Sequence, residues 1–222
     1  MTILTRNIDI LRNEVAAHIK ADALVRGSYW KPNENAVGGQ GCFISCLTHT
    51  EDPAPAFERF GLPVEVLRIA ENIFEALPDD EGIAFFAALP DAVERDGKDL
   101  SRVHWGFLAS ELRALPQTTD AVQSVIDPVI AGMDLMAKGC EWANAADAAA
   151  RAYDAADAAD AGYAAARAAY AACAAARAAA RTGYAAHADA AARAADAAGA
   201  AHAYAAARLR QRDTLLRLIS TS

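Results

Sequence analysis

Residues 143–207 constrain the fold of this chain more than any other stretch. Most of these positions are alanine, and none is Leu, Ile, Val, Met, Phe, Lys, Glu or Pro. Alanine is the best helix former, and its small side chain lets helix axes approach closely. A charged residue recurs every few positions, so the tract contains no run of about 18 apolar residues that could span a membrane. The tract therefore predicts closely packed helices outside a membrane.

The spacing of the larger side chains bears on whether the tract is one helix or several. Thirteen of the larger side chains form a stripe that advances 40 residues in 12 steps, which is about 3.3 residues per step against 3.6 per helical turn. These are Asp147, Arg151, Asp154, Asp157, Asp160, Tyr163, Arg167, Tyr170, Cys173, Arg177, Arg181, Tyr184 and His187. The stripe therefore drifts around a straight helix, and glycines at 162, 183 and 199 offer places to break it. This pattern favours an alanine-rich helical hairpin or bundle, with a single rod as the alternative.

The chain upstream of the tract reads as a series of amphipathic helices. Apolar residues recur at helical spacing in segments that turn signals separate, namely 5–26, 55–60, 63–77, 80–89, 99–114 and 119–139. Periodicity alone does not distinguish a strand from a helix over residues 42–49, and a helix is expected there because the segments that follow are helical. The sequence thus predicts an all-α protein. A compact acidic helical domain (1–139) precedes an alanine-rich helical extension (140–222).

Turn and cap residues predict where these helices begin and end. Gly27 is expected to stop the first helix, Asp79 or Asp80 to cap a helix that Pro90 interrupts, and Asp99 to cap the next. Pro128 is expected to bend or split the helix that Thr119 or Asp120 caps, because proline removes one backbone donor. Gly139 is the expected C-terminal cap of that helix. The residues between Ser28 and Gly41 are expected to form a loop.

The charge distribution excludes some classes of partner. The net charge is −8; residues 1–139 contribute −9 and residues 140–222 contribute +1. An acidic surface disfavours nucleic acid, because phosphate recognition needs basic side chains. The four cysteines are widely spaced, and no signal peptide is evident. The expectation is a cytoplasmic protein in a reducing setting, with no membrane partner.

One short stretch has residues suited to metal binding. Cys42, Cys46 and His49 would stand at i, i+4 and i+7 on one helix face, with zinc as the expected metal and Glu51, Asp52 or His18 completing the site. Against this, Cys42 and His49 would lie about 10 Å apart along the helix axis. The alternative is that both cysteines pack on a buried face while His49 ends the helix.

The same stretch also suits a thiol enzyme. Cys42 follows a glycine-rich loop at a helix start, where the helix dipole is expected to lower its pKa. His49, His18 or His104 would serve as the base. The sequence around Cys42 matches no local signature of a thiol-enzyme family.

Three stretches carry a resemblance to known proteins. Gly41–His49, Phe60–Pro63 and Ile73–Pro78, followed by the alanine tract, resemble a group of uncharacterised proteins encoded by bacteriophages and prophages. The tract alone is similar to alanine-rich helical immunity proteins. The phage resemblance implies a small accessory protein, and genes of this kind often encode inhibitors of host defence or other host-directed binders.

These observations lead to three hypotheses about function. The first is a non-enzymatic phage or prophage accessory protein that binds a host protein, for instance as an anti-CRISPR-type inhibitor of host defence. It would use its acidic surface or its alanine-rich face. The second is a small thiol- or metal-dependent enzyme that uses Cys42, Cys46 and His49. The third is a structural protein that self-associates into a homo-oligomer through the extension.

Overall fold

The computed structural model describes the chain except for residues 1–3, 22, 29, 33–38, 116–118, 158–169, 171, 178 and 180–203. The described part is predominantly α-helical, which confirms the predicted all-α class. Its elements are α1 (Ile8–Lys20), β1 (Lys31–Pro32), β2 (Gly39–Gln40), α2 (Phe43–Thr48), α3 (Ala54–Phe60), α4 (Val64–Ala76), α5 (Asp79–Val93), α6 (Val103–Arg113), α7 (Asp120–Ala137), α8 (Ala145–Asp157) and α9 (Tyr204–Ser220). Residues 172–177 are also helical.

The chain divides into two compact units. The first contains Met1–Ser101 together with Leu215–Ser222, and the second contains Arg102–Thr214. The boundary expected after residue 139 falls inside the second unit. The division into an acidic helical domain and an alanine-rich extension stays a prediction. Among the described residues, no helix has the length and apolar character needed to cross a membrane.

The first unit is built around large apolar side chains. α2 packs on α4, α3 and α1, while α1 also packs on α5. The Phe43 ring is fully buried and lies 5.4 Å from the Phe85 ring and 5.1 Å from the Phe86 ring, centroid to centroid. Buried aromatic residues contribute both area and specific ring geometry to a core. Helix α2 therefore contributes a buried aromatic side chain to this core, and the helix predicted over residues 42–49 is confirmed.

The first helix ends earlier than predicted. α1 buries Ile8, Leu11 and Val15 as expected, but it stops at Lys20 rather than at Gly27. Leu24 then forms a parallel bridge to Gly41, and the described part of the segment expected to be a loop pairs β1 with β2. These backbone hydrogen bonds need an extended conformation. The helix therefore ends before the point that its apolar pattern predicts.

Two capping expectations in the middle of the chain were wrong. The N-cap residue of α5 is Pro78, so Asp79 and Asp80 lie in the first turn of the helix and neither caps it. Pro90 does not interrupt α5 but lies inside it. Only three residues of the helix follow this proline, so it weakens only the last turn. Asp99 does not cap α6 either: its carboxylate accepts hydrogen bonds from the Ser101 amide (3.0 Å) and hydroxyl. The N-cap residue of α6 is Arg102.

The second unit contains α6, α7 and α8, with α7 packed on both neighbours. Thr119 caps α7 by accepting from the Val122 amide, as one of the two predicted caps. Pro128 does not split α7, which continues through it to Ala137. Gly139 follows with φ +80°, the left-handed conformation expected of a helix end.

Helix α8 in the alanine-rich part is amphipathic, and the side chains of its buried face are the methyl groups of alanine. α8 buries Ala145, Ala148, Ala149 and Ala152, while its charged residues Asp147, Arg151 and Asp154 are exposed. The Tyr153 and Tyr170 rings lie 6.2 Å apart, whereas 17 residues of one straight helix would separate them by about 25 Å. A single rod through both tyrosines is therefore excluded, and the predicted hairpin or bundle is confirmed for this section. The expectations for Gly162, Gly183 and Gly199 lie outside the described residues.

Buried charges hold the last helix in place within each unit. In the second unit, the Glu111 carboxylate on α6 accepts from Arg210 (2.8 Å) and from the Gln211 amide (3.0 Å) of α9. In the first unit, the buried Lys98 ammonium donates to the carbonyl oxygens of Ile219 (3.1 Å) and Ser220 (2.9 Å). A cation at a helix C-terminus is favoured by the helix dipole.

Candidate functional site

The three residues of the predicted metal or thiol site share one short helix but have different surroundings. Cys42 immediately precedes α2, Cys46 lies inside it, and His49 ends it with φ +58°. The side chains of Cys42 and Cys46 are buried, whereas His49 is exposed. The structure thus places two thiols in the core and the imidazole at the surface.

The Cys42 thiol is part of a polar cluster on α2 and α4. Its sulfur donates to Oε1 of Glu71 at 3.1 Å and lies 3.1 Å from the Ser45 hydroxyl, while Arg68 donates to Oε2 of Glu71 at 2.9 Å. Burial raises the pKa of Cys42; hydrogen bonding to Ser45 opposes this, and the neighbouring Glu71 carboxylate adds to it. The expected lowering of this pKa by the helix dipole was wrong, because desolvation of the thiolate outweighs it. Cys42 is therefore a protonated thiol at neutral pH.

Cys46 is the more deeply protected of the two thiols. Its sulfur lies 3.5 Å from the carbonyl oxygen of Ala23 and 3.4 Å from that of Gly41. Burial raises its pKa to about 12. A thiol is nucleophilic only as the thiolate, so Cys46 connects α2 to the segment before it rather than presenting a reactive group.

His49 belongs to an aromatic group that we call the Trp30 cluster, made of His18, Trp30 and His49. The His49 and Trp30 rings stack with centroids 4.3 Å apart, and the His18 ring meets His49 edge-on at 5.6 Å. A Cβ atom added at Gly39 would lie 2.5 Å from the Trp30 ring, so only glycine allows this approach. Burial and His49 both lower the pKa of His18, against a raising effect of Glu14.

Among the described residues, no three His, Cys, Asp or Glu side chains are grouped so that they could hold a metal ion. His49 stacks on Trp30, and the two thiols contact oxygen atoms of Glu71, Ala23 and Gly41. The zinc hypothesis stays a prediction. Metal analysis of the purified protein, with Cys46→Ser as the control, decides it.

The second unit carries a feature that we call the α6–α7 groove. This open cavity of about 470 Å³ lies between the C-terminal end of α6 and the N-terminal half of α7. The residues that line it are Leu112, Arg113, Leu115, Asp120, Gln123, Asp127 and Ile130. Its size is typical of sites that take small ligands or parts of larger ones.

A further surface feature of the second unit is the tyrosine patch, made of Tyr153, Tyr170 and Arg177. The two tyrosine rings meet edge-to-face, with 41% and 42% of the residues exposed. The Arg177 guanidinium carbon lies 5.4 Å from the centre of the Tyr153 ring. The described residues between Tyr170 and Arg177 include the buried Ala172, Cys173 and Ala176. The patch is thus backed by a packed alanine layer.

Sequence reasoning missed most of these partners. Glu71 is 29 residues from Cys42, and His18 lies on α1 whereas His49 ends α2, so no local pattern pairs them. The contact between Tyr153 and Tyr170 depends on how the chain folds back, which the spacing of the tract does not display. The heptad spacing of Asp120, Asp127 and Asp134 was the one local signal that could have identified the groove.

Comparison of the chain with protein-family models, with curated proteins and with solved structures finds no significant match.

Proposed function

We propose that this protein is a non-enzymatic binding protein whose tyrosine patch contacts a partner protein. The proposal extends to the biological setting: a phage or prophage accessory protein that occupies a host protein and thereby inhibits a host defence complex, as anti-CRISPR-type inhibitors do. The tyrosine patch carries the binding part of the proposal, and the resemblance to phage proteins motivates the setting.

The chemistry of the patch favours recognition of another protein. Tyrosine and arginine are the side chains enriched in the energetic centres of interfaces, because they combine apolar area with a polar group. Tyr153 already contacts both Tyr170 and Arg177 in the free protein. A pre-ordered surface loses less side-chain entropy when it binds.

The thiols support a non-catalytic interpretation. A thiol enzyme needs a thiolate that the substrate can reach. Both Cys42 and Cys46 are buried, and burial raises the pKa of each. Neither has the exposure or the acidity of a resting nucleophile.

Affinity capture from a bacterial lysate tests the proposal with three baits. These are the wild type, the variant Tyr153→Ala/Tyr170→Ala, and the control variant Leu4→Ala/Ile10→Ala, which removes equally exposed apolar residues of the first unit (44% and 48%). We expect one protein to be retained by the wild type and the control and lost from the tyrosine variant. With that protein purified, each tyrosine substitution is expected to weaken binding about 30-fold, the range of an interface hot spot.

Light scattering on the same three proteins separates binding of a partner from self-association. If the wild type and the control are dimers and the tyrosine variant is a monomer, the patch serves a homo-oligomer and the structural hypothesis replaces the binder. Capture of the same proteins by all three baits would remove the patch as the contact surface.

A further inference from the structure

We infer that the α6–α7 groove binds a basic segment of a partner protein, through arginine or lysine side chains laid along it. The inference deepens the proposed protein-binding function by naming the chemistry of a partner segment, and it relies on a surface distinct from the tyrosine patch.

The groove combines an apolar floor with an acidic rim. Leu112 is buried, and Leu115 and Ile130 are half-buried, whereas Asp120 and Asp127 are exposed on the rim. A lysine or arginine side chain matches this arrangement, because its aliphatic stem packs on apolar surface while its charged end stays among carboxylates and water.

The spacing of the carboxylates on α7 suits an elongated ligand. Asp120, Asp127 and Asp134 follow at intervals of seven residues, which places them on nearly the same face of the helix at steps of about 10 Å. Gln123 lies between the first two and donates to Asp127 at 2.7 Å. The row is long enough to pair with two cations of one segment.

The protein itself shows how this row accepts a guanidinium group. Arg113, which lines one end of the groove, forms an ion pair with Asp134. In the part of the chain that the structure describes, no lysine or arginine forms a salt bridge with Asp120 or Asp127. Two of the three carboxylates are thus available to a cation from outside.

The local charge of the groove acts in the same direction. The carboxylates of Asp120 and Asp127 attract a cationic side chain over distances of about a Debye length, and this attraction raises the association rate. Contacts between phosphate groups and the groove are disfavoured by the same charge. The groove therefore selects for basic protein segments.

A designed peptide provides the probe. It is a short, fluorescein-labelled, alanine-based peptide with arginines seven positions apart and leucines between them; a second peptide carries glutamine in place of arginine. Fluorescence anisotropy with the full-length protein is expected to show binding of the arginine peptide that weakens as salt is added, and little binding of the glutamine peptide.

Variants of equal charge locate the site. Asp120→Asn/Asp127→Asn is expected to weaken peptide binding about tenfold, since two charge pairs of roughly 0.7 kcal/mol each are lost. The control Asp147→Asn/Asp154→Asn changes the net charge by the same amount on exposed residues of α8 and is expected to change binding less than about twofold. Circular dichroism confirms that both variants remain helical.

The side-chain amide of Gln123 reports on the groove directly. Its NMR signals are expected to shift on addition of the arginine peptide to the wild type. Equal weakening by both variants, unshifted Gln123 signals at saturation, or displacement of the peptide by an equal concentration of spermidine would each overturn the inference. If the peptide fails while tyrosine-dependent capture persists, the groove is not a binding site and the proposed function stands.

Discussion

Helix α2 is buried on all sides over residues 43–47, whereas α8 is buried along one side, and the two helices bury different side chains. α2 places Phe43, Ile44 and Leu47 in the core, each no more than 1% exposed, whereas α8 buries four alanines. A large apolar side chain contributes about 1.5–3 kcal/mol on burial, against about 0.8 kcal/mol for one methyl-sized group. Each buried side chain of α2 therefore contributes more to stability than each buried alanine of α8.

This difference decides where the large polar and aromatic groups lie. Around α2 the bulky core closes over the thiols, so Cys42 and Cys46 are protonated and inaccessible. In α8 the described buried side chains include four alanines, and Tyr153 lies exposed against Tyr170 and Arg177. The core around α2 thus buries its thiols, whereas the alanine-rich part leaves its tyrosines exposed. The contrast supports the view that the alanine-rich part is the binding surface.

The largest expected effect is the loss of an aromatic ring from the bulky core. Phe43→Ala is expected to reduce the free energy of unfolding by about 3–5 kcal/mol, because the ring is fully buried between Phe85 and Phe86 and its removal leaves a cavity. Urea denaturation followed by circular dichroism measures the change. A loss below about 1 kcal/mol would show that α2 does not belong to the core.

An intermediate effect is expected when the alanine layer is made bulkier. Ala152→Leu adds three carbons at a position with no exposed surface and is expected to cost about 1–3 kcal/mol through overpacking. The exposed Ala150→Leu on the same helix is the matched control and is expected to stay within about 0.5 kcal/mol of the wild type. If both variants have equal stability, the layer is not closely packed and the comparison with α2 fails.

The smallest effect at neutral pH comes from thiol ionisation. The pKa of Cys46 is raised from 9.0 to about 12 in the folded protein. Below pH 9 the thiol is protonated in both states; between pH 9 and 12 the unfolded chain loses the proton first, so stability falls as pH rises. Cys46→Ala is expected to lessen this fall in urea denaturation at pH 8, 9, 10 and 11. Parallel curves for the two proteins would show that the thiol is not desolvated.

Local pattern predicted much of the helical framework. The stripe of Val66, Ala70 and Ile73 in α4, the cap at Thr119 and the exposed charges of α8 all follow from spacing along one helix. These features depend on neighbours within one or two turns, which a sequence displays directly. The helix end misplaced at Gly27 has another cause, because pairing of Leu24 with the distant Gly41 outweighed local propensity.

The sequence could not predict which side chains meet. The carboxylate beside Cys42 comes from α4, and the imidazole beside His49 comes from α1. The choice between Glu71 and any other acid depends on helix packing, and the pKa of Cys42 depends on the burial that results. The expectation of an acidic thiol failed for this reason, since it considered the helix dipole without the desolvation.

The amino-acid sequence alone determined that the chain is helical, that its N-terminal part holds the acidic charge, and that alanine forms the face of its second part. Periodicity and composition are local properties, and they suffice for these conclusions. The tertiary structure alone decided that the thiols are closed off while two tyrosines and an acidic groove are open. Exposure and contact depend on which elements pack together, and long-range packing has no signature within a single helix.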